Sequence, residues 1–245
     1  MPKETLKVII PNIVAVIEGL PKSGKTHLAM TFPDPMVVFS LDVGADIVRR
    51  KFPSKKIDIK TYPIPIVESV KGTGLQKELL GIWKQLKADY QAATESREVK
   101  TIVVDTATAL YEIARIARAA ELGQENLLKF QFGEVYAQLK GLVQRGRVAG
   151  QNIVWTHYLK DIYRNDVATG ELGIDGWRYV EGEADVILII RKEFVSYTDP
   201  TTRKVEKRVA MITTIKDCRF DRNIDGKELR DATYEDISAL MGLEE

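Results

Sequence analysis

A glycine-bounded loop near the N-terminus carries residues that could bind phosphate. The loop spans Gly19, Leu20, Pro21, Lys22, Ser23, Gly24, Lys25 and Thr26, and it fits the pattern G-x-x-x-x-G-K-[ST] throughout. Its glycines let backbone N–H groups turn toward phosphate oxygens. The Lys25 ammonium can reach the β- and γ-phosphates, the Thr26 hydroxyl can bind Mg²⁺, and His27 follows directly. The loop, with His27, therefore predicts a site for a nucleoside triphosphate and Mg²⁺.

A carboxylate at the end of an apolar run supplies a second element of such a site. The segment TIVVD at 101–105 reads as a buried strand that ends in Asp105. A carboxylate in this place can hold Mg²⁺ through a water, with its strand beside the phosphate loop. Thr26 and Asp105 are therefore the predicted metal-site residues.

The elements that must position these residues follow from the hydrophobic pattern. Apolar, β-branched runs typical of strands buried on both faces occur at 13–17, 36–40, 101–105, 152–156 and 184–190. Between them, 75–90 and 135–150 carry apolar residues on one helical face. Strands that alternate with helices predict an α/β fold with a mainly parallel sheet flanked by helices.

The pattern changes toward the C-terminus. Segments 192–198 and 203–215, joined by a turn at 199–202, predict an antiparallel β-hairpin. The residues from 224 onward are acidic, and 233–241 predicts a short helix with Thr233 as its N-cap. We therefore predict one domain at 1–223 that includes the hairpin at 192–215, followed by an acidic tail at 224–245.

Composition limits the classes of protein that fit. The chain has 245 residues, 44% of them hydrophobic, and a net charge of +1, so whole-chain charge indicates neither a nucleic-acid nor a membrane partner. The single cysteine, Cys218, excludes an internal disulfide and fits a reducing compartment. No apolar run approaches the roughly 18 residues of a membrane span, and the N-terminal apolar stretch is too short for a secretory signal. We expect a cytoplasmic protein without a membrane partner.

Two segments carry a resemblance to a known family. With GLPKSGKT and IVVDTATALYE in place, the chain resembles the RecA-like P-loop ATPases from about residue 14 to about residue 223. More narrowly, it resembles the phage-encoded AAA-domain and RecA-type nucleotide-binding proteins of single-strand annealing and recombination. Thr106 follows Asp105 where many AAA+ motors have Glu, which is a departure from that pattern.

The resemblance implies a function and partners. It implies hydrolysis of ATP with Mg²⁺ and action on single-stranded DNA. It further implies a homo-oligomeric ring or filament, a single-strand-binding protein as a candidate further partner, and, for a phage protein, the host cytoplasm.

The resemblance also implies catalytic residues beyond Lys25 and Asp105. Asp42, after the second strand, corresponds to the general base, and an alternative is that it caps the helix that follows. The segment NIVWTHY places Thr156 and His157 where such proteins have a γ-phosphate sensor. The alternative is that His157 has a purely structural role. Lys216 and Arg219 resemble a cationic finger that is inserted into a neighbouring subunit's site. The alternative is that they are surface charges without this role.

Two loops are candidates for the DNA surface that the resemblance implies. The first, 115–134, contains Arg115, Arg118, Lys129, Phe130 and Phe132, and the second, 158–179, contains Lys160, Tyr163, Arg164, Trp177 and Arg178. Cations that alternate with aromatic rings suit a single strand, because bases stack on rings while cations follow phosphates. The alternative is an amphipathic helix and a β-hairpin packed on the core.

Two other functions fit the phosphate loop. A P-loop small-molecule kinase would need a basic lid, for which RRKFPSKK at 49–56 is the comparable cluster. A non-hydrolysing, nucleotide-dependent assembly factor would need no general base.

Overall fold

The computed structural model describes residues 12–42, 44–63, 73–198, 201 and 205–243. The strands are β1 (Val14–Gly19), β2 (Met36–Ser40), β3 (Ile57–Thr61), β4 (Thr101–Asp105), β5 (Asn152–Arg164), β6 (Val167–Ile174), β7 (Val186–Thr198), β8 (Val205–Cys218) and β9 (Glu228–Arg230). The α-helices are α1 (Lys25–Ala29), α2 (Ala45–Arg49), α3 (Thr73–Glu95), α4 (Ala107–Glu121), α5 (Phe132–Val148) and α6 (Tyr234–Leu240). Short 3₁₀ turns lie at Lys129–Gln131, Arg178–Glu183 and Arg222–Ile224.

The strands form one sheet in the order β3-β2-β4-β5-β1-β7-β8-β9, and β6 pairs with β5 outside this path. The pairs from β3 to β7 are parallel. The pairs β5–β6, β7–β8 and β8–β9 are antiparallel. This arrangement confirms the predicted α/β class with a mainly parallel sheet and antiparallel C-terminal strands. Because β5 lies between β1 and β4, the strand of Asp105 is not the direct neighbour of the strand that leads into the phosphate loop.

Each face of the sheet is covered by a separate core. Val14 and Val16 of β1 face the core that contains α3, α4 and α5. Ile13, Ala15 and Ile17 face the opposite core, together with residues of α1, α2 and α6. Because both faces are buried, the central strands read as continuous apolar runs rather than as alternating ones.

The predicted helical faces are confirmed, and the sheet is larger than the sequence indicated. Leu79, Trp83 and Leu86 of α3 are buried, as are Val135 and Leu139 of α5. The runs at 36–40 and 101–105 match β2 and β4, whereas β5 and β7 extend well beyond the predicted runs at 152–156 and 184–190. The strands β3 and β9 were not predicted, because they are short and lack a continuous apolar run. The strand β6 lies in the segment 158–179, for which a β-hairpin was the alternative prediction.

The predicted hairpin is formed by β7 and β8, with residues 192–198 paired to residues 205–211. Apart from Thr201, its predicted turn at 199–202 lies outside the described residues. The segment ADVILII and the first hairpin strand are one continuous strand. The hairpin is therefore an extension of the central sheet rather than a separate unit.

The C-terminal segment packs on the same core as the phosphate-loop helix. Thr233 is the N-cap of α6, as predicted, and its hydroxyl accepts a hydrogen bond from the Asp236 N–H. Ile237 and Met241 are buried in the core that contains α1. The strand β9 pairs with β8, and α6 covers one face of the sheet. The division of the chain at residue 223 stays a prediction.

Within the part of the chain that the structure describes, no helix has both the length and the apolar character needed to cross a bilayer.

Truncation of Ile237 tests whether α6 belongs to the folded core. We expect Ile237→Ala to lower the free energy of unfolding by roughly 2–5 kcal/mol, because a fully buried side chain is replaced by a cavity. Glu235→Ala, on the exposed side of the same helix, is the matched control and should change stability by less than about 0.5 kcal/mol. Urea denaturation measures both variants. Equal stability of Ile237→Ala and the wild type would show that the tail is dispensable for the fold.

Candidate nucleotide-binding site

The loop between β1 and α1 has the backbone that a phosphate cradle requires. Gly24 has φ of +113°, a conformation that side chains disfavour, and a Cβ there would lie 2.3 Å from Met211 Sδ. A Cβ on Gly19 would lie 2.5 Å from Ser23 Oγ and 2.7 Å from the Ile190 carbonyl oxygen. Both glycines are therefore required by the structure, as the sequence pattern predicted. Helix α1 begins at Lys25.

The Lys25 side chain lies folded over its own loop. Its Nζ donates hydrogen bonds of 2.9 Å to the carbonyl oxygens of Gly19 and Leu20. The ammonium also lies 4.3 Å from the centre of the Tyr158 ring. Burial lowers the pKa of Lys25 to about 8, against the raising influence of the Asp105 and Asp42 charges. Lys25 thus presents a poorly hydrated charge at the mouth of the loop.

The Asp105 carboxylate joins three elements of the site. Its Oδ2 accepts a hydrogen bond of 2.9 Å from Thr26 Oγ1 on α1, and its Oδ1 accepts one of 2.6 Å from Thr156 Oγ1 on β5. Burial raises the pKa of Asp105, while the hydrogen bonds from the two threonines lower it. The following residue, Thr106, caps α4 by accepting a hydrogen bond from the Ala109 N–H. This capping role gives a structural reason for a threonine at the position where many AAA+ motors have Glu.

The residues around Asp105 fit a magnesium ion bound together with phosphate. Mg²⁺ prefers oxygen ligands and is commonly held by one or two protein groups plus phosphates and waters. Thr26 and Asp105 offer a hydroxyl and a carboxylate within hydrogen-bond distance of each other. Among the described residues, no cluster of three or more His, Cys, Asp or Glu side chains forms a metal cage. Ser23 Oγ, buried in the loop without a hydrogen-bond partner among those residues, is a further polar atom available to a ligand.

Asp42 lies at the same site and is held by a tyrosine. The Tyr158 hydroxyl donates a hydrogen bond of 2.5 Å to Asp42 Oδ2. The alternative reading of Asp42 as a helix cap is wrong, because the N-cap of α2 is Gly44 and has no side-chain capping bond. The side chain of Asp42 is therefore committed to the site rather than to α2.

These residues line one cavity of about 820 Å³. The polar part of the lining is formed by Pro21, Lys22, Ser23, Gly24, Lys25, Thr26 and His27 together with Asp42, Asp105 and Tyr158. The apolar part is formed by Ile47 and Val48 of α2 and by Val209 and Met211 of β8, and Lys51, Lys192 and Asp231 also line the cavity. The two parts adjoin, because Met211 lies against Gly24. The cavity thus combines polar groups that fit phosphates with apolar side chains of different chemistry.

His157 is not brought to this cavity. Its side chain is completely buried, and both ring nitrogens lack a hydrogen-bond partner among the described residues. Burial lowers its pKa to about 3, so the ring is neutral. Alternation along β5 explains the placement, because Thr156 and Tyr158 point to the face of α1 whereas His157 points to the other face with Trp155. Of the two residues predicted for the sensor position, Thr156 is the one that contacts the site.

Lys216 and Arg219 lie away from the cavity of their own chain. Lys216 Nζ lies 3.2 Å from the buried carboxylate of Glu18 and also pairs with Glu181. Burial raises the pKa of Glu18 to about 7, against the lowering influence of Lys216. Arg219 pairs with Asp185, whose N–H donates to the Val14 carbonyl. Arg219 is therefore near the start of β1, roughly 16 Å along the strand from the loop that follows Gly19.

The first DNA candidate loop exposes part of its aromatic surface. Phe130 is 80% exposed, whereas Phe132 packs against Tyr136 with ring centres 6.1 Å apart. Arg115 pairs with Glu112, and Arg118 pairs with Glu121 and Glu134. Both arginine charges are thus partly neutralised within the chain.

The second candidate loop forms the β5–β6 hairpin and the turn after it. Tyr163 is 63% exposed, but Trp177 is buried against Trp155, so the prediction that Trp177 lies on a DNA surface is wrong. Lys160 pairs with Asp175, and Arg164 pairs with Glu171. The exposed aromatic and cationic side chains are therefore fewer than the sequence indicated.

The basic cluster at 49–56 does not form a separate lid. Lys55 Nζ donates hydrogen bonds to the carbonyl oxygens of Thr31 and Phe32 and so is fixed to the core, and Lys51 lines the cavity. The kinase alternative loses the segment that it required.

Sequence reasoning did not find Tyr158, Val209 or Met211 as cavity residues. The alternation that places Thr156 and Tyr158 on one face of β5 was a signal that could have found Tyr158. Val209 and Met211 reach the cavity only because β8 pairs with β7, which pairs with β1. No local pattern in β8 reports this proximity.

Comparison with protein families decides the class of the domain. A family model described as an AAA domain matches residues 11–216, which is most of the chain. The chain belongs to this AAA-domain family. This AAA domain is a nucleotide-binding domain of the P-loop ATPase type, in agreement with the loop, Asp105 and the sheet order. A comparison with curated proteins gives no significant match.

The buried Lys25 of this AAA domain predicts a pH dependence of nucleotide binding. Because the pKa of Lys25 is about 8, the ammonium that attracts phosphate is present below pH 8 and is lost as pH rises through that value. We expect the affinity for ATP, measured by equilibrium binding with Mg²⁺ in excess, to fall about tenfold per pH unit above 8. Lys22→Arg, at an exposed position of the same loop, should keep this dependence. A Lys25→Arg variant with the same decline would contradict the assignment to Lys25.

Proposed function

We propose that this AAA domain hydrolyses ATP in the presence of Mg²⁺ and that single-stranded DNA regulates the reaction. One observation carries the hydrolytic part: the phosphate loop, the Thr26–Asp105 pair and Asp42 line the same cavity. A site that only binds nucleotide needs the loop and the metal pair, whereas a second carboxylate in the same cavity supplies a group that can accept a proton.

The polar part of the cavity lining provides each function that phosphoryl transfer to water requires. The loop N–H groups and Lys25 hold the β- and γ-phosphates and stabilise their charge. Mg²⁺, when bound by Thr26 and through water by Asp105, would neutralise charge on the phosphate oxygens. Asp42 orients the attacking water and accepts its proton as the oxygen–phosphorus bond forms. The bond between the γ-phosphorus and the bridging oxygen breaks, and ADP leaves with phosphate.

The apolar part of the cavity lining suits the nucleoside. Ile47 is 66% exposed although it is a large apolar residue, and Val209 and Met211 face the same space. A purine ring between α2 and β8 would remove these side chains from water, at roughly 25 cal/mol for each Å² of apolar surface buried. Lys51, Lys192 and Asp231 are the polar groups available to the ribose and to the edge of the base.

The position of Arg219 supports action as a homo-oligomer, a ring or a filament. Arg219 has a half-exposed side chain and lies at the opposite end of β1 from its own phosphate loop. It can therefore contact a γ-phosphate only in another subunit. Lys216 would first have to leave Glu18 and Glu181, so Arg219 is the stronger candidate for a finger in trans.

An aromatic cluster supports single-stranded DNA as the partner. Tyr136 contacts Phe132, Tyr111 and Tyr179, with ring centres 5.2 to 6.4 Å apart. Phe132 and Tyr179 come from the two predicted DNA loops, so the cluster joins these loops, although Tyr111, Phe132 and Tyr136 also pack on the core. The exposed residues Phe130 and Arg178 lie close to them in sequence. Stacking of bases on such rings requires no particular base sequence. A role in recombination or annealing, with a single-strand-binding protein as a further partner, is the biological setting that we propose.

Substitution of Asp105 tests the metal site. We expect Asp105→Asn to lower kcat for ATP at least about a hundredfold, because the metal-binding carboxylate and the acceptor of the Thr26 hydrogen bond are both altered. Phosphate release at increasing Mg²⁺ concentration is the measurement, and Asp175→Asn, outside the cavity, is the control. Wild-type kcat in Asp105→Asn would rule out the proposed metal site.

Substitution of Asp42 and addition of DNA test the proposed chemistry and regulation. Asp42→Asn should lower kcat by about two orders of magnitude, whereas Asp46→Asn, on the exposed side of α2, should have wild-type kcat.

Single-stranded DNA should raise the wild-type rate of phosphate release without any added acceptor. Equal rates with and without DNA, from a protein that stays monomeric at all concentrations, would contradict the DNA-regulated oligomer.

A further inference from the structure

Tyr158 contacts both of the charged groups on which the proposed chemistry depends. Its hydroxyl donates to Asp42 Oδ2, and its ring lies beneath the Lys25 ammonium, 4.3 Å from Nζ to the ring centre. Asp42 follows β2, Lys25 begins α1, and Tyr158 lies on β5. A single side chain on β5 therefore contacts one group on α1 and one group that follows β2.

The backbone around Tyr158 is fixed by a closed set of hydrogen bonds. The Tyr158 N–H donates to Thr108 Oγ1 over 3.0 Å, and Thr108 Oγ1 donates to the Asp175 carbonyl over 2.7 Å. The Asp175 N–H donates back to the Tyr158 carbonyl over 2.8 Å. Tyr158 is also the residue of β5 that pairs with Gly19 of β1. The phenol ring consequently has a defined position relative to the phosphate loop.

The phenol hydroxyl acts as a donor toward Asp42. Burial raises the pKa of Tyr158, and the hydrogen bond and charge of Asp42 raise it further, so the hydroxyl keeps its proton at neutral pH. A neutral donor to a carboxylate fixes the rotamer of the carboxylate, and such charge-assisted hydrogen bonds are stronger than neutral ones. Because Tyr158 takes one of the two lone pairs of Oδ2, Oδ1 is the oxygen of Asp42 with both lone pairs available for further hydrogen bonds.

The aromatic face provides a different contact for Lys25. A lysine ammonium above a tyrosine ring is attracted by the negative face of the ring, more strongly where water is excluded. To bind phosphate, Lys25 Nζ must exchange its bonds to the Gly19 and Leu20 carbonyls for phosphate oxygens. The ring can keep the ammonium at the mouth of the loop during this exchange.

We propose that Tyr158 is a positioning residue of the ATPase site, whose hydroxyl orients Asp42 toward the attacking water and whose ring holds Lys25 for phosphate binding. This inference rests on the proposed function, because it assigns a role within the same reaction. It predicts that the two contacts affect different kinetic quantities. The hydroxyl affects the chemical step through Asp42, and the ring affects nucleotide affinity through Lys25.

Two substitutions separate these contacts. Tyr158→Phe removes the hydroxyl and keeps the ring, and we expect kcat to fall about tenfold with KM and the Kd for Mg-ATP changed by less than about twofold. Tyr158→Leu removes both, and we expect the Kd to rise about fivefold in addition. Tyr234→Phe, which removes a phenol hydroxyl on α6 outside the cavity, is the matched control and should keep wild-type values.

A double-mutant cycle with Asp42→Asn distinguishes positioning from a merely structural role. If Tyr158 acts through Asp42, Tyr158→Phe should have no further effect on kcat once Asp42→Asn is present. Release of labelled phosphate from labelled ATP measures the low residual rates, and equilibrium binding of Mg-ATP measures the Kd.

Each outcome of this experiment has one meaning. A Tyr158→Phe variant with wild-type kcat, or one with the same loss of kcat in the Asp42→Asn background, would overturn the role of the hydroxyl while the proposed ATPase function stands. An unchanged Kd in Tyr158→Leu would overturn the role of the ring. A wild-type protein that binds but does not hydrolyse ATP would overturn the proposed function itself, and with it the role of the hydroxyl.

Discussion

The buried carboxylate of Asp105 accepts hydrogen bonds from Thr26 on α1 and Thr156 on β5, and the rest of the site depends on this junction. Burial makes an ionised carboxylate costly unless it is compensated, and the two hydroxyl donors supply part of that compensation. A metal ion bound to phosphate would supply the remainder. Because the same contacts fix α1 relative to β4 and β5, folding of the sheet and assembly of the metal site are coupled.

The order of the strands explains how distant segments meet in one cavity. The polar ends of β1, β2, β4 and β5 lie at the same edge of the parallel sheet, where open α/β sheets commonly bind their ligands. The antiparallel strand β8 then brings Val209 and Met211 to the side of α1. One sheet thus positions the phosphate-binding residues at the edge of its parallel part and supplies two of the apolar cavity residues from its hairpin extension. Tyr158 lies in the parallel part, at the point where β5 leaves β1 to pair with β6.

The phosphate loop, Asp105 and the α/β class could be predicted because each has a local signal. The loop is a contiguous pattern, and Asp105 ends a continuous apolar run, so short-range sequence is sufficient for both. Tyr158, by contrast, acquires its contacts with Lys25 and Asp42 only through pairing of strands far apart in sequence. The prediction for His157 failed for a related reason. Neighbouring residues of a strand point to opposite faces of the sheet, and the motif alone does not show which of the two faces the cavity. Trp177 was misjudged because an aromatic residue beside cations has the same pattern in a core as on a surface.

We propose that one cavity binds Mg-ATP with its γ-phosphate between Lys25, Asp42 and the Thr26–Asp105 pair. A crystal structure with Mg²⁺ and a non-hydrolysable ATP analogue tests this most directly. We expect the metal to be bound by Thr26 Oγ1 and linked to Asp105 through water. We also expect Lys25 Nζ to contact the γ-phosphate and the purine to lie beside Ile47 and Val209. A nucleotide bound with Asp105 and Asp42 both out of reach of its phosphates would contradict it.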